Sequence, residues 1–244
     1  MKHIDCDTYR ELSRQAAGRV AELLRKKPEA LLCFAAGSTP MGLFEDLIQM
    51  QARSEVDMTR AWFAGLDEWV GLGPADTGSC IQVMFDSFYT PAGIPRDHIH
   101  VFDGMAADMT RECRLMEKWI EDHGGIDLAV LGIGMNGHIG FNEPGVPETP
   151  GCVVVDLDEV TREVSVKYFG KHLPVRQGIS IGMDLLSSAP EVILLADGIK
   201  KAPIVAATLS GPITCRVPSS LLQKHPGAVL LTDAGAAGLL PNQG

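Results

Sequence analysis

The chain has 244 residues, of which 45% are hydrophobic and 21% charged, and its formal net charge is −10 at pH 7. This length allows one large domain with its own core, and the acidic balance argues against nucleic acid or an anionic membrane surface as a partner. No apolar stretch is long enough to span a bilayer and the N-terminus lacks the apolar core of a secretory signal, so we expect a cytoplasmic protein.

The first element that the pattern predicts is an amphipathic helix over residues 7–27. Its apolar residues recur at helical spacing, and Thr8 and Glu11 form a capping-box pattern at its start. Apolar runs and helical patterns then alternate along the chain. In one-letter code they are ALLCFAA and a helix from Pro40, RAWFAGL and a helix near 79–88, HIHVF and a helix from about 106 to 122, DLAVLGIG, GISIGM, EVILLAD and a helix from about 200, and AVLLTD.

This alternation of apolar strands with helices is typical of a parallel sheet that is covered on both faces. We therefore predict an α/β fold with a doubly wound, mostly parallel, Rossmann-like sheet flanked by helices. The chain shows no internal repeat, low-complexity tract or linker, so we predict a single domain over residues 1–244. In such sheets ligands bind beyond the carboxyl ends of the strands, which makes the strand-to-helix turns the places to search for chemistry.

The cysteines and histidines do not suggest a disulfide framework or a metal site. The six cysteines are scattered without a C-x-x-C pair, a pattern that fits reduced thiols. No H-E-x-x-H motif occurs, and His98 and His100, which could share a strand face, have no further ligands near them in sequence. We expect no bound metal.

The stretch GIGMNGHIGFNEPG, residues 132–145, has the G-x-G-x-x-G spacing of a dinucleotide-binding turn and follows the apolar run DLAVL. That motif requires a helix to begin at its third glycine, with its N-terminus facing a pyrophosphate. Here prolines at positions 144, 147 and 150 forbid a regular helix. The sequence therefore predicts a polar turn at a strand end, which presents Asn136, His138, Asn142 and Glu143.

Two interpretations of this turn remain open from the residues alone. His138 and Glu143 could form a proton-transfer pair in which the carboxylate fixes the tautomer of the imidazole. Alternatively, His138 is a loop histidine whose ring is hydrogen-bonded to the backbone.

Two other predicted strand ends carry polar residues with similarly open roles. Gly37, Ser38 and Thr39 lead into a helix at Pro40, where hydroxyls and free amides could bind an anion at the helix terminus, or a hydroxyl could simply cap the helix. Asp67 follows the buried run AGL and could act as a general base or as a cap.

Taken together, these segments resemble the glucosamine-6-phosphate deaminase (isomerase) family. The resemblance rests on AGSTPMGL, LDEWVGL, LGIGMNGHIGFNEPG and the late stretches ISIGM, ILLADGIKKA, GPIT and VPSSLLQKHP, which lie in order over residues 35 to 233. The NGHIGFNEPG element is the most specific, because the related 6-phosphogluconolactonases have DGH followed by ASLFP at this turn.

The resemblance implies roles for four residues in proton transfer. Asp67 matches the base that moves a proton between C2 and C1 of the sugar. His138 matches the group that opens the sugar ring, Glu143 matches its carboxylate partner, and Asn136 stands where members have aspartate or asparagine and orients the histidine.

The resemblance also implies a phosphate site. Gly37, Ser38 and Thr39 match the phosphate loop of the family, and Lys201 matches a phosphate-binding lysine. Lys167 stands where many members have arginine, so that the charge is kept but the bidentate fork of a guanidinium is lost.

The implied reaction opens an amino sugar phosphate to its aldehyde, isomerises it through an enol and releases ammonia by hydrolysis. None of these steps transfers a hydride or an electron, so we expect no cofactor. Trp69 and Cys80 depart from the family pattern, and sequences proposed to act on galactosamine 6-phosphate share both features. Galactosamine 6-phosphate is therefore an alternative substrate to glucosamine 6-phosphate.

Two rival functions are a lactonase of the same superfamily and a non-catalytic sugar-phosphate sensor, since this fold also serves as an effector domain in regulators. The NGHIGFNEP element disfavours the first, and the intact proton-transfer residues disfavour the second. Larger members of the family are activated through basic residues after the NEP element, but residues 144–159 here contain no lysine or arginine. We therefore expect a monomer or small homo-oligomer with hyperbolic kinetics.

Overall fold

The structure is a computed structural model that describes residues 1–147, 149–169 and 174–241, except for the side chains of residues 166–168. Its strands are β1 (Lys2–Cys6), β2 (Leu31–Phe34), β3 (Trp62–Gly65), β4 (Asp67–Trp69), β5 (Ile99–His100), β6 (Leu128–Gly132), β7 (Cys152–Asp156), β8 (Gln177–Ile181), β9 (Glu191–Ala196) and β10 (Ala228–Asp233). Its α-helices are α1 (Tyr9–Lys26), α2 (Met41–Ala52), α3 (Cys80–Met84), α4 (Met109–Asp122), α5 (Glu159–Phe169), α6 (Met183–Ser188) and α7 (Ala202–Ser210).

Seven of these strands form one sheet in the order β1-β10-β9-β6-β2-β3-β5, and all its described pairs are parallel. The chain runs outwards in one direction from β2 through β3 to β5, and in the other from β6 through β9 to β10. The strand order thus reverses between β2 and β6, which is the point where doubly wound sheets bind ligands. The predicted fold class is confirmed.

Helices cover both faces of this sheet because its strands are apolar on both sides. On one face α1, α2 and a π-helical turn over Phe85–Tyr89 pack against a cluster of aromatic rings, with Phe44 and Phe88 stacked at 4.7 Å between ring centroids. On the other face α4, α6 and α7 contribute residues such as Met116, Leu186 and Val205 to a second buried cluster.

The predicted helix over residues 7–27 is confirmed within one or two residues, and so is its cap. The hydroxyl of Thr8 accepts from the amide of Glu11 at 3.2 Å, and the Glu11 carboxylate accepts from the amide of Asp7 at 3.0 Å. These reciprocal bonds satisfy amides that the first helical turn leaves without a partner. Before this helix lies β1, which the sequence pattern did not predict.

A second, three-stranded sheet in the order β4-β8-β7 corrects the prediction for the run GISIGM. That run forms β8, but it pairs antiparallel with β4 and β7 instead of joining the parallel sheet. The run HIHVF is also shorter than predicted, since only two of its residues are in β5. The chain passes from the large sheet to the small one at Leu66, so that β3 and β4 are separated by one residue.

No helix among the described residues is both long and apolar enough to cross a membrane.

Candidate active site

A cleft opens at the carboxyl ends of β2 and β6, where the strand order reverses. It is lined by the turn after β2, by β4, by the turn after β6 and by the first turns of α5. Among its lining residues are six that the sequence singled out, namely Gly37, Ser38, Thr39, Asp67, His138 and Lys201. Segments that are distant in the sequence therefore meet at one site.

The turn between β2 and α2 presents a helix N-terminus to the cleft. Gly37 has a φ of 132°, a backbone conformation that favours glycine, and Pro40 directly precedes the first helical residue. No side chain caps this helix, so the proposal that Ser38 or Thr39 is a plain cap is wrong. The Thr39 hydroxyl instead donates to Asp197 at 2.6 Å. The partial positive charge of the terminus is therefore directed at the cleft.

The hydroxyl of Tyr9 holds this turn from behind. It donates to the carbonyl of Thr39 at 2.9 Å and accepts from the amide of Gly42 at 2.8 Å. Gly42 is also the residue of α2 that packs against α1, since a Cβ there would meet the Ser13 hydroxyl at 2.4 Å. The shape of the turn between β2 and α2 thus depends on the close packing of the first two helices.

Lys201 supplies a cation to the same region. It ends a 3₁₀ turn over Ile199–Lys201 that leads into α7, and its ammonium donates to the carbonyl of Ile133 in the turn after β6. The other predicted cation, Lys167, belongs to α5, but its side chain lies outside the described residues. The structure therefore places one of the two predicted lysines at the cleft.

Asp67 and Glu68 form an acidic pair at the start of the small sheet. Asp67 faces the cleft, while Glu68 is buried and accepts the amides of Trp69 at 2.8 Å, Cys80 at 3.0 Å and Ile81 at 2.8 Å. The first amides of α3 are thereby satisfied by a carboxylate, as is favourable at a helix N-terminus. Glu68 thus has a structural role at the start of α3, and Asp67 is the member of the pair that faces the cleft.

The surroundings of Asp67 favour its protonated form. Burial, followed by the charge of Glu68, raises the pKa of Asp67 to about 7, although a hydrogen bond from the Cys80 thiol acts in the opposite direction. Burial likewise raises the pKa of Glu68 to about 7, against the three amides that favour its charged form. A carboxylate with a pKa near the working pH combines basicity with a large ionised fraction, which is what a general base requires.

The turn after β6 places His138 beside Glu143, as one of the two interpretations predicts. The Nδ1 atom of His138 lies 3.5 Å from Oε2 of Glu143 and 3.1 Å from the hydroxyl of Thr161 on α5. Asn136 accepts the amide of His138 at 3.2 Å and donates to Glu143 at 3.3 Å. The imidazole is thus held by side chains through Nδ1, and Nε2 is the nitrogen left to serve a substrate.

The environment of Glu143 keeps it ionised. Burial acts to raise the pKa of Glu143, but the hydrogen bond and charge of His138, with hydrogen bonds from Thr161 and Asn136, hold that pKa below its ordinary value. A buried carboxylate that accepts several hydrogen bonds remains an acceptor across the working range of pH. It can therefore fix the tautomer of the histidine.

The glycines of this turn are explained by the histidine and not by a nucleotide. A Cβ at Gly134 would meet three ring atoms of His138 at 2.4 Å, so the imidazole packs directly on the backbone there. Gly137 has a φ of 90° and no helix begins at it, which confirms the rejection of a dinucleotide motif. Asn142 is turned away from the cleft, because its amide donates to the carbonyls of Ile139 and Ile181.

Thr161 contacts the histidine of this site but was not predicted from the sequence. It lies 23 residues after His138 and contacts it only because α5 folds back over the turn. A threonine within a helix carries no local signal that would single it out. Cys80 departs from the family pattern in the sequence, but the sequence does not predict that its thiol contacts Asp67.

The fold and the cleft place the chain among α/β proteins that bind small ligands at the switch point of a doubly wound sheet. A family model described as glucosamine-6-phosphate isomerases/6-phosphogluconolactonase matches residues 6–231. The chain belongs to this family.

Relatives over the full length agree with this assignment. A glucosamine-6-phosphate deaminase from Thermoanaerobacter pseudethanolicus is 38% identical over 245 residues, covering 100% of this chain and 96% of the relative. A second one, from Halothermothrix orenii, is 40% identical over 235 residues, covering 96% of this chain and 98% of the relative. The expected resemblance is confirmed.

Solved structures give the same result at two levels of similarity. A monomeric glucosamine-6-phosphate deaminase superposes with a TM-score of 0.94 and 35% identity, covering 98% of this chain and 100% of that one. A 6-phosphogluconolactonase from Thermotoga maritima superposes with a TM-score of 0.76 and 18% identity, covering 95% and 98%. The second likeness concerns the fold alone.

Proposed function

We propose that this chain is a glucosamine-6-phosphate deaminase, which converts glucosamine 6-phosphate and water to fructose 6-phosphate and ammonia. The observation that carries the proposal is the presence of Asp67, with its pKa near 7, and the His138–Glu143 pair at one cleft. Relatives that bear this name and match the chain over its full length support it.

The first step is ring opening at His138. The ring nitrogen Nε2 takes the proton from the O1 hydroxyl and returns it to the ring oxygen O5, while Nδ1 keeps its hydrogen bonds to the buried side chains. Glu143 stabilises the imidazolium that forms between these two transfers, and Asn136 holds the backbone of the turn in place. The product is an open-chain aldehyde.

The second step is the isomerisation at Asp67. The carbonyl makes the C2 proton acidic, and the Asp67 carboxylate removes it and returns it to C1 through an enol. The resulting product is the C2 imine of the ketose, and addition of water to this imine gives the ketone and releases ammonia. Each step is a proton transfer or an addition of water that the described side chains can assist.

The phosphate of the substrate binds at the turn Gly37–Thr39 and at Lys201. The helix N-terminus and the ammonium concentrate positive potential at the cleft, although the whole chain has a net charge of −10. Lys167 completes this cluster in the proposal. A carboxylate base and a phosphate site at opposite ends of a sugar would orient C1 and C2 towards Asp67.

The galactosamine 6-phosphate alternative is favoured by one observation, which is that Trp69 and Cys80 both line the cleft. The decisive experiment measures ammonia release from glucosamine 6-phosphate and galactosamine 6-phosphate side by side, with Asp67→Asn as the inactive control. Faster turnover of the galactosamine compound would change the substrate but not the chemistry. Ammonia release from neither, together with hydrolysis of 6-phosphogluconolactone, would overturn the proposal.

We further propose that the protein acts in the cytoplasm as a monomer or small homo-oligomer without activation by a second sugar phosphate. The likeness to a monomeric deaminase supports a monomer or small homo-oligomer. The absence of lysine and arginine from residues 144–159 supports the lack of activation by a second sugar phosphate. Light scattering during gel filtration, and rate curves with and without N-acetylglucosamine 6-phosphate, test both. Sigmoidal rate curves that become hyperbolic when N-acetylglucosamine 6-phosphate is added would contradict the proposed lack of activation.

A further inference from the structure

Thr161 connects the His138–Glu143 pair to helix α5. It is the third residue of that helix, and its side chain is only 4% exposed although the helix forms a wall of the cleft. Its neighbours Val160 and Val164 also line the cleft. A hydroxyl buried among apolar neighbours needs hydrogen-bond partners, and here the partners are the two groups assigned to ring opening.

The distances place the hydroxyl between the histidine and the carboxylate. His138 Nδ1 is 3.1 Å from Thr161 Oγ1, which is within the normal range for a hydrogen bond, and its 3.5 Å separation from Glu143 Oε2 is longer. Thr161 is also hydrogen-bonded to the Glu143 side chain. The other donors to Glu143 are Asn136 at 3.3 Å and the amide of Asp158 at 3.4 Å.

The hydrogen-bonding capacities of the three groups fix the direction of each bond. An ionised carboxylate only accepts, and a hydroxyl has one hydrogen to donate and lone pairs with which to accept. The hydroxyl hydrogen of Thr161 is therefore donated to Glu143, and its oxygen accepts the hydrogen on Nδ1 of His138. This arrangement is the same whether the imidazole is neutral or charged, because Nδ1 carries a hydrogen in both forms.

We propose that Thr161 is a positioning residue whose hydroxyl links Nδ1 of His138 to Glu143 and keeps Nε2 unprotonated in the neutral ring. The proposal rests on the proposed function only in assigning ring opening to His138. Because Thr161 acts through His138, its loss should impair ring opening and leave the later proton transfer at Asp67 intact.

The first test observes the tautomer directly and needs no substrate. Histidine labelled with ¹⁵N reports which ring nitrogen carries the hydrogen, and the His138 signals are assigned by their loss in His138→Gln. We expect the Nδ1–H form in the wild type and in Thr161→Ser, and a substantial Nε2–H population in Thr161→Val. A His138 spectrum that is identical in the wild type and in Thr161→Val would overturn the proposal.

The second test separates the chemical steps. Thr161→Val should lower kcat on the cyclic substrate roughly tenfold to a hundredfold, as for loss of a hydrogen bond to a charged group, with KM little changed. An open-chain analogue should react at nearly the wild-type rate, and Thr161→Ser should restore most of the activity on the cyclic substrate. Equal losses on cyclic and open-chain substrates would mean that Thr161 does not act through His138.

Thr232→Val is the matched control. Thr232 is also buried, and its hydroxyl is hydrogen-bonded to Nε2 of His3 on β1 at 2.8 Å, in a part of the large sheet that does not line the cleft. The same substitution there should lower stability without changing the tautomer of His138 or the ratio of the two rates. If Thr161→Val does not fold, Thr161→Ala takes its place in both tests with the same expected outcomes.

The acid side of the pH profile gives a third readout. The charged groups around His138 are Glu143 in its own turn, Asp158 before α5, and Asp67 and Lys201 across the cleft. None of these charged groups changes in Thr161→Val. A profile of kcat against pH that is displaced for the cyclic substrate and not for the open-chain analogue would therefore support the link through the hydroxyl. A failure of the wild type to release ammonia from either amino sugar phosphate would contradict the proposed function, and the tautomer test would still decide the role of Thr161.

Discussion

The carboxylates of Asp67 and Glu143 serve the same cleft, yet their surroundings move their pKa values in opposite directions. Asp67 is buried beside a second carboxylate and has one thiol as a donor, so its pKa is raised to about 7. Glu143 is also buried, but hydrogen bonds from His138, Thr161 and Asn136, together with the charge of His138, outweigh its burial, so its pKa is lowered. The difference shows that a buried carboxylate stays charged when its neighbours donate enough hydrogen bonds to it.

This contrast separates the tasks of the two groups. A base that must take up and return a proton benefits from a pKa near the working pH, whereas a partner that steadies an imidazolium must not be protonated itself. The two carboxylates also lie in different structural settings. Asp67 begins a strand of the small sheet. Glu143 lies in the turn after β6, where it accepts hydrogen bonds from side chains of that turn and of α5.

The largest expected effect is the loss of the base. Asp67→Asn keeps the shape of the side chain but removes its basicity, so kcat should fall by a factor on the order of 10²–10⁴ with KM nearly unchanged. Exchange of the C2 proton with solvent, followed by NMR, should disappear in this variant. Exchange at the wild-type rate would remove Asp67 from the mechanism.

His138→Gln tests the ring-opening role of the histidine that lies beside Glu143. We expect a loss on the order of 10²-fold on the cyclic substrate, because one general acid–base group is missing from ring opening. The open-chain analogue should be affected much less, since it bypasses that step. If both substrates lose the same factor, ring opening is not the task of His138.

Lys201→Ala should change the binding of the phosphorylated substrate and leave the carboxylates of Asp67 and Glu143 in place. Loss of a charge-assisted contact should weaken binding of the phosphorylated substrate by about 1.5–3 kcal/mol, visible as a higher KM. Unphosphorylated glucosamine, which lacks the group that Lys201 contacts, serves as the control ligand. Equal weakening for both sugars would place Lys201 away from the phosphate.

The smallest effect concerns Cys80, whose thiol donates to Asp67. This hydrogen bond favours the charged carboxylate, so Cys80→Ala should raise the pKa of Asp67. Since only the deprotonated form acts as a base, the acidic limb of the profile of kcat against pH should move to higher pH, and activity below pH 7 should fall. Cys80→Ser retains a donor and should leave the limb close to its wild-type position.

A limb that moves to lower pH in Cys80→Ala would show that the thiol does not donate to Asp67. Glu143 does not contribute to this limb, because its pKa is already lowered and it stays ionised throughout the range in which Asp67 titrates.

Much of the site could be predicted from the sequence because its parts are local. The glycines and prolines of residues 132–150 exclude a helix after β6, and Pro40 and the residues before it indicate a helix start, whatever the rest of the chain does. The roles of Asp67, His138, Glu143 and Lys201 were predicted from a resemblance in these same local motifs. The structure shows that Asp67, His138 and Lys201 line one cleft and that Glu143 lies beside His138, and their roles stay proposals.

Other features could not be predicted because their signals are not local. The strand β1 is short and partly exposed, and its only described strand partner is β10, more than 200 residues later in the chain. The run GISIGM is as apolar as the strands of the large sheet, so its sequence does not reveal that it pairs antiparallel in a small one. Pairing partners are decided by the packing of the whole chain.

The fold class, the strand-end turns and the types of chemical group that those turns carry follow from local sequence, since backbone restrictions and apolar periodicity act over a few residues. The behaviour of those groups depends on the tertiary structure. That structure buried Asp67 beside Glu68, gave Glu143 its donors and brought the hydroxyl of Thr161 against His138 from 23 residues away. The pKa of a group and the tautomer of a ring depend on distances between atoms in space, which no local pattern encodes.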